Sequence, residues 1–165
     1  MIPAITFEEI LAWNDEASSL WKAHLDANPP LLLLPCGIGG NADVQAFVRH
    51  IWGVELLWAQ RLSGLPETAK TDWPAGPLDT LFGLHQKALE IYRGLMNDSH
   101  INWNEPTKLN YPWLPEALQQ PTRRKMLGHA LFHSQRHWAQ LSTLVRQAGF
   151  PSGLMGDLLF SLRLT

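Results

Sequence analysis

The stretch Gly128-His129-Ala130-Leu131-Phe132-His133-Ser134-Gln135-Arg136-His137-Trp138-Ala139-Gln140 carries three histidines at intervals of four residues. Four residues advance about 40° beyond one full turn of an α-helix, so the three imidazoles run along one side of it. Met126, Ala130, Leu141, Leu144 and Ala148 fall on that side too, the stripe expected to face a core. The pattern predicts a helix from Thr122 to about Ala148, stopped by Gly149 and Pro151.

Outward from this helix, proline and glycine divide the chain into three further proline-free stretches. The first runs from about Thr6 to Asp26. Thr6 with Glu9 three residues on is a capping-box signature, and Phe7, Ile10, Leu11, Leu20, Trp21 and Leu25 have helical spacing. Asn28 to Gly40 holds three prolines and three glycines and must be a connection. Asn41 or Asp43 can then cap a second helix reaching Ser63, with Phe47, Val48, Ile51, Val54, Leu57, Trp58 and Leu62 as its apolar stripe. A third helix is expected over Leu78 to Met96. Asn97 to Pro121 reads as a long crossover loop, and Leu158 to Leu162 as a last turn or small helix. No segment alternates with period two. The expected fold is therefore all-α, a four-helix bundle with long crossover connections.

A chain of 165 residues, 45% hydrophobic and 17% charged, suits one globular domain spanning 1–165. Its net charge of −2 argues against a broad nucleic-acid-binding face, and the one basic run, Arg123 to Lys125, reads as a solvated helix start. The single cysteine, Cys36, excludes an internal disulfide and lies in a Pro/Gly loop without a basic neighbour, as an inert thiol would. Leu31 to Leu34 is too short to cross a bilayer, and no signal peptide is visible, so a cytoplasmic protein without membrane contact is expected. Most of the eight tryptophans are expected to pack in the core.

A buried imidazole needs partners for both ring nitrogens, and a divalent metal supplies one directly. Positions i and i+4 are about 6 Å apart along the axis and can share one ion, whereas i and i+8, about 12 Å apart, cannot. The helix thus offers His129 with His133, or His133 with His137. A further ligand must come from another helix. His50, between Phe47 and Val54, is the foremost choice, with His85 its competitor; His24 and His100, near helix ends, are expected to be solvated.

Two segments also resemble a known family. Val48-Arg49-His50-Ile51-Trp52-Gly53-Val54-Glu55, with Trp58 and Leu62 beyond, resembles the second helix of the DinB/YfiT-like superfamily. His129-x3-His133-x3-His137-x2-Gln140 resembles its fourth-helix signature. The resemblance implies a four-helix bundle, often dimeric, with a nickel or zinc site made by His50, His133 and His137. His129 is left as a neighbour. Ser134, and Trp138-Ala139 before the glutamine, depart from the usual family pattern.

Three protein nitrogens leave a coordination position for another ligand, as in catalytic metal sites. The resemblance implies a metal-dependent enzyme, with a transferase joining a low-molecular-weight thiol co-substrate to a small-molecule electrophile in stress or detoxification chemistry as the leading expectation. A metal-dependent hydrolase and a non-catalytic metal-binding protein are the alternatives. A homodimer is expected. Gln140 orients His137, meets substrate or is an ordinary polar residue beside the core stripe. Glu55, a general base or outer-sphere acceptor by type but about 140° round the helix from His50, reads as a surface or outer-sphere residue. The chain lacks His-Glu-x-x-His, a phosphate-binding glycine loop and the Glu-x-x-His pairs of di-iron bundles.

Overall fold

The computed structural model describes residues 4–109, 111, 114–151, 153 and 157–163. Trp113, within the expected crossover, lies outside them. Four long helices dominate: α1 (Phe7–Ala27), α2 (Val44–Ser63), α3 (Leu78–Asn97) and α4 (Arg123–Gln147). No strand occurs among the described residues.

Each boundary has a local cause. Thr6 and Glu9 form the expected capping box, with the Thr6 amide donating to the Glu9 carboxylate and the Glu9 amide to the Thr6 hydroxyl. Of the two proposed caps for α2, Asp43 serves, accepting from the Ala46 amide at 2.7 Å. Gly64 ends α2 at φ +72°, a left-handed turn that a side chain would resist. Thr122 caps α4 by accepting from the Lys125 amide. The connection after α1 and the tail hold short 3₁₀ turns at Pro29–Leu33, Ile38–Gly40 and Leu158–Phe160.

Helix α2 packs on α3 and α4, and α1 closes the bundle against the same two. Consecutive helices α1 and α2 therefore sit diagonally, as do α3 and α4, which is why the connections 28–43 and 98–122 are long crossovers. From Ile51 to Leu56 every residue of α2 is buried, so it is the most enclosed helix. Trp21, Trp52, Trp58, Trp73 and Trp138 belong to the core, as expected of most tryptophans, and so make no exposed aromatic face.

Trp73 shows how the α2–α3 connection is fastened. Its ring lies where a Cβ on Gly53 would stand, so glycine is needed for that approach. Arg49 adds hydrogen bonds to the carbonyls of Pro74 (2.8 Å), Lys70 and Trp73. This clamp holds the connection beside the helical turn that carries His50.

Candidate metal centre

The face of α4 is rotated from the expected one. Met126, Ala130 and Leu141 are buried as the stripe required, but Leu144 is only half-buried and Ala148 exposed. Leu127, Leu131, Ser134, Trp138 and Val145 complete the buried surface instead. The drift of about 40° per four residues then has a direct result: His129 is exposed, His133 half-buried and His137 buried. The row winds into the bundle rather than facing it throughout.

Where the row enters, it meets α2. Nitrogens of His50, His133 and His137 all lie within 4.8 Å of one another. The His133 and His137 Nε2 atoms are 3.1 Å apart, and bonds of about 2.1 Å from each can meet at one ion. The ring centroids of His50 lie 5.7 Å from His133 and 5.3 Å from His137. Phe47, one turn before His50 and fully buried, sets its edge against His137 at 5.0 Å and lies near-parallel to His50. It forms an apolar floor that fixes two of the three rings.

Gln140 decides how His137 presents itself. Its Oε1 is 2.6 Å from His137 Nδ1. A carbonyl oxygen only accepts, so Nδ1 carries the proton and Nε2 directs its lone pair toward His133. Of the three readings open to Gln140, the contact with His137 fits orientation. On the other ring, His133 Nδ1 is buried without a hydrogen-bond partner among the described residues.

The surroundings keep these imidazoles neutral. Burial, with repulsion from a proton on His137 and from the charges of Lys70 and Arg136, pushes His50 down to about 4. Burial and the same kind of neighbours push His133 to about 3. His137 is lowered by burial, partly opposed by its bond to Gln140, and His129 by burial and Arg136. Neutral imidazole is the form that binds a metal. A set of three nitrogens without a carboxylate suits zinc, nickel, copper or iron rather than calcium or magnesium. The residues fit a divalent transition metal.

His85 is not part of this cluster. Its Nδ1 lies 2.6 Å from Glu55 Oε2 and its Nε2 3.3 Å from Asp15 Oδ1, so both nitrogens are engaged elsewhere. Glu55 corrects the sequence reading. It is off the His50 face, as its offset required, but it is 2% exposed and no surface residue. Asn14 Nδ2 donates to its Oε1 at 2.8 Å, and Gln135 Nε2 donates to Asn14 Oδ1 at 3.1 Å. The Tyr92 hydroxyl donates to the Glu55 carbonyl. His24, expected in solvent, is half-buried with its ring edge-on to Trp21, while His100 is exposed as expected. Cys36 is half-buried, and burial raises its thiol further from reactivity.

A bundle whose adjacent helices α2 and α4 bring three histidine nitrogens together defines a class of helical proteins equipped to hold a metal. The chain belongs to the DinB family, whose family model matches residues 6–162. No curated protein shows a significant match to it. None of the described helices is long and apolar enough to cross a membrane.

Proposed function

We propose that His50, His133 and His137 bind one divalent cation, nickel or zinc, and that the site serves a metal-dependent transfer of a low-molecular-weight thiol to an electrophile. The observation that carries this reading is the convergence of three neutral histidine nitrogens from α2 and α4. With three protein ligands, such an ion keeps a position for an exchangeable ligand and lowers the pKa of a thiol held there. His137 is oriented for this by Gln140, and Phe47 holds the rings apart from solvent on the inner side. Lys70 and Arg136 act on the same space with positive charge, and no acidic group joins the cluster of described residues. That field favours an anionic co-ligand such as a thiolate. In the transfer the thiol gives up its proton, its sulfur bonds to the electrophilic carbon, and the leaving group departs with its electron pair.

The test is metal content followed by turnover. Purified protein should carry about one equivalent of nickel or zinc, and His133→Ala should carry almost none; equal content in both would sink the site. With metal present, loss of an alkylating electrophile should require added thiol. Thiol-independent turnover of an ester would instead assign hydrolysis, and a fall in Tm on chelation without turnover would assign a structural metal.

A further inference from the structure

The crossover between α3 and α4 covers a cavity of about 200 Å³ beside the histidine row. Its floor is Trp58 of α2 with Met126 and His129 of α4, and its roof is Leu109, Leu114 and Leu118. The roof is tied down by main-chain bonds, Thr107 N–H to the Pro121 carbonyl at 2.9 Å and Leu109 N–H to the Gln119 carbonyl at 2.7 Å. The Gln119 side chain donates to the Leu114 carbonyl. These bonds hold the described part of the roof against the start of α4.

Two features give the cavity a direction. His129 faces Trp58 edge-on at 5.0 Å and stands 5.8 Å from His133, so it separates the cavity from the candidate metal centre by a single ring. Lys125, one turn earlier on α4, brings the one ammonium group to the described lining, which holds no carboxylate. By spacing His129 could pair with His133 on a metal, the family resemblance leaves it as a neighbour, and Lys125 reads in the sequence as part of a solvated basic run. A dry cavity of about 150 Å³ with apolar walls is enough to hold a benzene ring.

We infer that this cavity binds a small molecule with one aromatic or branched apolar group and a carboxylate, the apolar group between Trp58 and the leucine roof and the carboxylate at Lys125. As the electrophile's half of the transfer, it rests on the proposed function; as a binding site, it does not. His129 is then a positioning residue at the passage between the bound molecule and the three-histidine centre.

The test uses phenylpropionate and its neutral counterpart phenylpropanol, titrated by NMR or calorimetry into chelator-treated full-length protein and into metal-loaded protein. Both ligands should bind, the acid about fivefold tighter, because one partly exposed ion pair is worth little more. Lys125→Glu should weaken the acid by at least that factor and leave the alcohol within about twofold. Leu118→Asp, at a partly exposed roof position, should weaken both, with Tm and far-UV circular dichroism checking the fold. Should Leu118→Asp not fold, the acid-to-alcohol ratio in Lys125→Glu decides alone. Binding of neither ligand, or acid binding that Lys125→Glu leaves unchanged, would overturn the inference. Ligand binding in protein that takes up no metal would uphold the cavity and sink only the transfer reading. Metal uptake without ligand binding would do the reverse.

Discussion

The bundle holds two histidine centres on opposite sides of α2, and the same side chain is driven in opposite directions in them. At His50, His133 and His137 burial acts together with cationic neighbours, and the imidazoles are neutral at physiological pH. At His85 burial also lowers the pKa, but the Glu55 and Asp15 carboxylates outweigh it and raise the group to about 9. One centre offers lone pairs and the other a buried cation whose two N–H groups are already used. Only the first is equipped for a metal. The second joins all four helices: Asn14 and Asp15 on α1, Glu55 on α2, His85 and Arg93 on α3, and Gln135 on α4.

The contrast predicts a double dissociation, and its structural arm carries the largest effect. Glu55→Ala leaves a protonated imidazole and an amide facing an empty pocket. Breaking a buried pair in this way costs about 3–5 kcal/mol, less whatever His85 recovers by losing its proton. Urea unfolding should show that loss, while metal bound per folded molecule stays unchanged. His133→Ala should do the opposite, removing the metal and leaving the Tm of the chelated protein near that of the chelated wild type. If Glu55→Ala lost metal while keeping its stability, the two centres would not be separate.

The pH dependence divides the centres again, and its sign follows from the direction of each shift. His85 is raised from 6.5 to about 9, so its contribution is complete below about 6.5 and is lost as pH climbs through 9. A decline of about 2 kcal/mol between pH 7 and 9 is expected by linkage. It should vanish in His85→Gln. His50 and His133 are lowered, so the unfolded chain takes up protons first as pH falls below 6.5, and stability falls toward pH 4. Acid should also release the metal, because protons compete for the same nitrogens. A single urea series across pH 4.5 to 9.5, with and without chelator, reads both limbs. An alkaline limb that survives in His85→Gln would break the assignment.

How far these centres could be read in advance differs for a physical reason. The four helices were legible because their signals are local: the Thr6–Glu9 box, Asp43, Gly64 and Gly149 act within one turn. His133 and His137 were legible as a pair through spacing on one helix, and His50 through its place beside the apolar stripe of α2. The structure brings these three together. The Glu55–His85 pair spans 30 residues, and no local pattern encodes it. One clue was present. Val54-Glu55-Leu56 puts a carboxylate in a helix that is apolar on every side over that turn, and such a group requires a buried partner. The rotation of α4 is not legible from the five apolar residues that share a side with the histidines, because Leu131, Trp138 and Val145 on the adjoining side are almost fully buried and turn the helix toward themselves.

Gln140 gives the smallest effect and the finest test of the comparison. The carboxylates at His85 set that ring's charge; the neutral amide at His137 sets only its tautomer and orientation. Removing the amide should therefore leave the ring neutral but free to place its proton on either nitrogen and to turn. Outer-sphere partners of metal-bound histidines are worth about 10–100-fold in affinity. Gln140 is itself exposed, although it follows the buried His137, so water can replace it and Gln140→Ala should weaken zinc binding by about tenfold. Gln140→Glu keeps the acceptor and adds charge, so it should restore or strengthen binding and move acid release of the metal to lower pH. A competition titration against a chromophoric chelator measures both variants. If Gln140→Ala bound zinc as tightly as the wild type while Gln140→Glu bound it more tightly, charge and not orientation would be the governing effect. The neutral amide would then contribute nothing to the site, and the distinction between a centre tuned by charge and one tuned by tautomer would fall.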